Sequence, residues 1–134
     1  MVSVVKLDTL NSFVKELLPL FRYKVILLKG ELGAGKTTLV KMLVKELGCN
    51  EPITSPTFGI ANELIIGGET GYHLDLYRIN NLDELVEFGF EEYVSADRYC
   101  FIEWPEIGMS YIPEKHHVIS IETVDHQTRQ ITFI

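Results

Sequence analysis

Gly30-Glu31-Leu32-Gly33-Ala34-Gly35-Lys36-Thr37 is the stretch that decides the fold. It matches G-x-x-x-x-G-K-[ST] at every fixed position. The glycines let the backbone turn back with positive φ and no Cβ in the way. Successive N–H groups then point inward as an anion nest, and a following helix adds its dipole and its unpaired amides. Lys36 supplies a point charge for the β- and γ-phosphates of a nucleoside triphosphate. The Thr37 hydroxyl suits magnesium, and Thr38 suits the α-phosphate region. The expected nucleotide-binding set is therefore Glu31, Leu32, Gly33, Ala34, Gly35, Lys36, Thr37 and Thr38.

The flanks carry the elements that such a loop needs. Upstream, Tyr23 to Lys29 contains the unbroken apolar run Val25-Ile26-Leu27-Leu28, which suits a strand covered on both faces, as in a parallel sheet. Downstream, Leu39, Val40, Leu43, Val44 and Leu47 recur at helical spacing, and Gly48 is placed to stop that helix. Before the strand, Leu10, Phe13, Val14, Leu17, Leu18 and Phe21 predict an earlier amphipathic helix, capped by Asp8 or Thr9 and bent or ended by Pro19. A strand at Ser3 to Leu7 precedes it.

Beyond Gly48, Glu51 to Pro56 reads as a loop held by two prolines. Phe58 to Ile66 and Tyr72 to Ile79 flank Gly67-Gly68-Glu69-Thr70-Gly71 and predict a β-hairpin. Asn81 opens a third helix with Glu84 at the capping-box position, and Gly89 ends it. Glu91 to Ala96 suits another helical turn. Tyr99 to Ile102 is a short apolar strand that stops at Glu103. His117 to Val124 and Gln127 to Phe133 predict a closing hairpin around Asp125-His126. The fold class is α/β: a three-layer, P-loop NTPase-like sandwich with helices on a mixed, mainly parallel sheet extended by β-hairpins.

The 134 residues suit one domain, 1–134, with one core. No apolar run reaches the roughly 20 residues needed to span a bilayer, and Met1 to Lys6 reads as a strand, not a leader. Cys49 and Cys100 have no metal or redox spacing and read as reduced thiols of a cytoplasmic protein. Net charge is −7, unevenly spread. Residues 1–45 hold eight Lys/Arg and three Asp/Glu, while 46–134 hold four and sixteen. The acidic later part is a poor match for bare phosphodiester backbone, so independent nucleic-acid binding is not expected.

A P-loop alone only binds; hydrolysis needs a second carboxylate toward magnesium and a group that orients water. Glu103, after Cys100-Phe101-Ile102, has the Walker B pattern. Thr57, in Thr54-Ser55-Pro56-Thr57-Phe58, sits where nucleotide switches sense the γ-phosphate. In His73-Leu74-Asp75-Leu76-Tyr77-Arg78, strand alternation places His73, Asp75 and Tyr77 on one face, with Asp75 available to order water. Lys36, Thr57 and Asp75 are the candidate catalytic residues; Thr37 and Glu103 are the candidate metal ligands. Trp104 is read equally as a nucleotide neighbour or as core. His116, His117 and His126 form no metal pattern and are read as surface or strand residues. No Asn/Thr-Lys-x-Asp segment marks guanine reading, which favours ATP. No arginine-rich lid of the kind small-molecule kinases use is present.

In order along the chain, the loop with Thr38, Ser55-Pro56-Thr57-Phe58, His73 to Arg78, Gly89-Phe90-Glu91-Glu92-Tyr93 and Ile102-Glu103-Trp104-Pro105-Glu106 resemble the bacterial TsaE (YjeE) family. The resemblance covers about residues 20 to 106. It implies an ATPase needed to place a threonylcarbamoyl group on N6 of adenosine 37 in tRNAs that read A-starting codons. Such a protein works with the TsaB–TsaD complex, meets tRNA only through those partners, is not itself the transferase, and supports or resets turnover. It implies that Lys36 and its loop bind ATP, that Thr37 and Glu103 hold Mg2+, and that Asp75 and Thr57 are functional. Taken alone, the chain is expected to be a monomer.

Overall fold

The computed structural model describes residues 1–50 and 59–134. Seven strands form one sheet: β1 (Val2–Lys6), β2 (Val25–Lys29), β3 (Ala61–Ile66), β4 (Glu69–Asp75), β5 (Cys100–Glu103), β6 (His117–Asp125) and β7 (Thr128–Phe133). Their spatial order is β1-β7-β6-β2-β5-β4-β3. The four central strands, β6, β2, β5 and β4, run parallel. Antiparallel pairs β3–β4, β6–β7 and β1–β7 extend both sides.

Strand alternation divides the core between the two faces of this sheet. On β2, Ile26 and Leu28 point toward α1 (Leu10–Leu17) and α2 (Lys36–Glu46), and pack with Phe13, Leu39 and Leu43. Val25 and Leu27 point the other way, toward α3 (Leu82–Phe88) and α4 (Phe90–Ser95), and pack with Leu85 and Phe90. This is the three-layer sandwich the continuous run at Val25–Leu28 predicts, since a strand buried on both faces has no polar side to alternate.

Several boundaries follow local hydrogen bonds. The Asn81 side chain accepts from Glu84 N at 3.0 Å and starts α3, and Gly89, at φ 87°, ends it. Glu84 Oε2 returns to Asn80 N rather than to the capping residue itself. Thr9 does not cap α1 with its side chain: its hydroxyl donates to Lys6 O at 3.1 Å instead. Pro19 lies in a single 310 turn, Leu18–Leu20, that ends α1 as expected. The β3–β4 turn is tighter than the sequence pattern indicates, with Gly67 and Gly68 between the strands. β4 stops at Asp75, not Ile79, because the Asp75 carboxylate accepts from Tyr77 N at 3.0 Å and turns the chain.

His117 is a buried strand residue and not a surface one. Its Nε2 accepts from Arg22 N at 2.8 Å and Tyr23 N at 3.2 Å, so the ring proton sits on Nδ1 and donates to Ile134 O. It pins the approach to β2. Both cysteines are buried. Burial pushes the Cys100 thiol up to about 12, which makes it an inert packing group. No helix among the described residues is long and apolar enough to cross a membrane.

Candidate functional site

In a parallel sheet the carboxyl ends of the strands share one edge, and ligands bind there. The glycine loop joins the end of β2 to the start of α2 at that edge. Two glycines are dictated by geometry. A Cβ at Gly30 would stand 2.6 Å from the backbone oxygen of Ile121. Gly35 precedes α2 at φ 106°, a left-handed conformation that L side chains rarely adopt. Ala34 N donates to Glu31 O at 3.0 Å, closing the loop, and Leu39 N to Gly35 O at 2.9 Å opens the helix. The first amides of α2 have no acceptor within their own helix and make an anion-binding end.

Lys36 is buried, its Nζ donating to Gly30 O at 2.5 Å and Glu31 O at 3.1 Å. Its ammonium also lies 4.1 Å from the centroid of the Trp104 ring, a cation–π contact. Trp104 therefore belongs to the site, and its backbone, at φ 55°, makes the sharp turn that follows β5. The sheet register sets Asp75 beside Glu103 on neighbouring parallel strands. Both carboxylates follow the alternation that turns Ile26, Leu28 and Phe101 toward α2. Glu103 is 3% exposed. Its carboxylate accepts from Thr37 Oγ1 at 2.9 Å to each oxygen, and Oε2 lies 2.5 Å from His73 Nε2.

Lys36, Thr37, Thr38, Asp75, Glu103 and Trp104 thus converge on a cavity of about 280 Å³, completed by Leu32, Gly33, Gly35 and Tyr77. Tyr77 reaches it from the turn after β4, its ring 5.0 Å from that of Trp104. Of the expected loop residues, Glu31 contributes its carbonyl, and Ala34, 3% exposed, packs inward. Thr57 lies outside the described residues, as does the rest of Thr54 to Phe58.

One part of the site carries no local sequence signal. Arg129, from β7, donates through Nε to Ala34 O at 2.9 Å and buttresses the loop from 95 residues away. Through Nη1 it also holds Asp125 O at 2.8 Å and Thr128 O at 3.1 Å. A second cavity of about 260 Å³ adjoins the first, sharing Gly33, Gly35 and Thr38, with Leu10, Met42 and Arg129 in its wall. A larger hollow of about 680 Å³, with Glu63, Tyr72, Glu92 and Tyr93 in its wall, has no loop residue among those lining it.

The geometry has counterparts among known proteins. The family described as "Threonylcarbamoyl adenosine biosynthesis protein TsaE" matches residues 4–131. The tRNA threonylcarbamoyladenosine biosynthesis protein TsaE of Haemophilus influenzae is 38% identical over 117 residues, 86% of this chain and 74% of its own length. Its counterpart in Treponema pallidum is 41% identical over 108 residues, 81% of this chain and 79% of its own length. The crystal structure of Bacillus subtilis YdiB superposes with a TM-score of 0.68 at 30% identity, covering 99% of this chain and 86% of that one.

Proposed function

From the premise that this chain belongs to the TsaE family of tRNA threonylcarbamoyladenosine biosynthesis proteins, we propose that it is the pathway's ATP-binding and ATP-hydrolysing subunit, acting with the TsaB–TsaD complex. The observation that carries the reading is the convergence of Lys36, Thr37, Asp75 and Glu103 on one cavity at the start of α2. The loop amides and Lys36 would hold the triphosphate. The adjoining apolar cavity, about 260 Å³, suits a purine.

The donor set also fits magnesium, which takes hard oxygen ligands. The Thr37 hydroxyl donates its hydrogen bond to Glu103, which leaves the oxygen lone pairs available for a cation. Thr37 would hold the ion directly, and Glu103 directly or through water. Held there, the ion would supply charge neutralisation for the β- and γ-phosphates. Lys36 binds and orients the γ-phosphate, Asp75 orders the attacking water, and Trp104 shields one side of the ammonium.

Lys36 is the sole basic residue among the described residues lining the cavity. A kinase that holds a small acceptor needs several cations around the transferring phosphate, so water is the acceptor proposed here. A single cation among the described lining residues fits slow turnover that a partner would complete. The acidic later part of the chain fits a subunit that leaves tRNA to its partners.

The reading is tested by reconstituting threonylcarbamoyladenosine formation with TsaB, TsaD, the threonylcarbamoyl-adenylate donor and tRNA. Wild-type chain should sustain repeated turnover, and Lys36→Ala should not. Equal product from both would remove the nucleotide site from the function.

A further inference from the structure

His73 stands behind the metal-facing carboxylate, and no role follows for it from the loop motif. It lies on β4, two residues before Asp75, and is 2% exposed. The strand register pairs it with Phe101, two residues before Glu103 on the same face of β5, and its ring reaches Glu103 from the sheet. Its Nε2 is 2.5 Å from Glu103 Oε2. A carboxylate only accepts, so the proton of that contact belongs to Nε2. The other ring nitrogen, Nδ1, is buried with no hydrogen-bond partner among the described residues. Among the described residues, the ring's single polar contact is thus with Glu103.

Glu103 needs such a contact. A carboxylate at 3% exposure is costly unless it is hydrogen-bonded. Lys36, the base of the loop, donates to Gly30 O and Glu31 O and has no bond to Glu103 among the described residues. Thr37 bridges both carboxylate oxygens and so does not distinguish them. His73 does distinguish them, because it binds Oε2 alone.

We propose that His73 is the positioning residue of the metal site: it ties Oε2 of Glu103 to the sheet, fixes the carboxylate plane, and leaves Oε1 to face the cation. This rests on the reading of Thr37 and Glu103 as the metal-holding pair. Outer partners of ligating carboxylates orient them, and removing one typically costs about 10–100-fold in metal affinity. The ordering of Glu103 is then done before nucleotide arrives, by a strand two places from the P-loop strand.

The test measures Mn2+ affinity by electron paramagnetic resonance, with a non-hydrolysable ATP analogue bound. His73→Phe keeps the ring volume and removes the donor; His73→Gln carries an amide that reaches the place of Nε2. We expect His73→Phe to weaken Mn2+ binding by roughly 10–100-fold. His73→Gln should stay within about threefold of wild type, and metal-free analogue affinity should be unchanged in both. A folded His73→Phe with wild-type Mn2+ affinity overturns the proposal. So does an equal loss in His73→Phe and His73→Gln, which would mean packing and not donation. If His73→Phe does not fold, His73→Asn replaces it, since its shorter amide falls short of Oε2 and the same loss is expected. Glu103→Gln separates the two readings. If it too binds Mn2+ like wild type, the metal-holding pair itself is misassigned; if it binds weakly while His73→Phe does not, only the role of His73 fails.

Discussion

The Thr37 hydroxyl donates to Glu103 at 2.9 Å from each carboxylate oxygen, joining the first turn of α2 to the end of β5 across sixty-six residues. This one contact couples the anion-binding helix end to the carboxylate strand. On the proposed reading, this pair is where a cation would sit beside the phosphate loop. Glu103→Gln keeps the volume and removes the negative charge. The Mg2+ concentration needed for half-maximal hydrolysis should rise at least about tenfold, while metal-free nucleotide binding persists. A magnesium titration at saturating ATP reads both.

Lys36→Ala removes the one cation among the described residues lining the cavity. Hydrogen bonds to charged groups are worth about 1.5–3 kcal/mol. Triphosphate affinity should fall roughly 10–100-fold, and calorimetry with ATP measures it directly. A variant that still binds ATP as tightly as wild type would displace the phosphate site from this loop.

Asp75→Asn should slow hydrolysis and leave ATP affinity close to wild type, because Asp75 is assigned to water and not to phosphate. A positioned carboxylate contributes about 10²–10⁴-fold in such a role. Single-turnover rates and equilibrium binding, measured on the same preparation, separate the two effects. The substitution keeps an acceptor for Tyr77 N, so the turn after β4 is preserved.

The burial that raises the Cys100 thiol to about 12 also sets a pH dependence. The unfolded thiol ionises near 8.5 while the folded one stays protonated. The contribution of this group is therefore fully present below about pH 8.5 and is lost as pH rises toward 12. Chemical denaturation of wild type and Cys100→Ala should show a steeper alkaline loss in wild type. An alkylating reagent at pH 8 should spare Cys100 in the native protein.

Much of this architecture is legible in the chain, for reasons that are local. Val25 to Leu28, Gly30 to Thr37 and the α2 stripe each carry their own periodicity or turn chemistry, and they appear where the pattern places them. Glu103 is legible because it ends an apolar run. What escaped is set by contacts distant in sequence. Arg129 binds Ala34 only because the closing hairpin lies near the loop, and no local signal marks it. His117 looks like one of several scattered histidines until its ring is seen accepting from Arg22 N and Tyr23 N. β4 ends before the pattern predicts because a carboxylate turn at Asp75 overrides the β-propensity of the residues after it. The pairing of Asp75 with Glu103 depends on strand order, which single elements do not encode.

The most direct measurement is phosphate release from ATP by the wild-type chain and by Lys36→Ala, each with and without the TsaB–TsaD complex. The account predicts slow release by wild type alone, a clear increase on adding the complex, and background release by Lys36→Ala in both conditions. Release by wild type that matches Lys36→Ala with the complex present would contradict it.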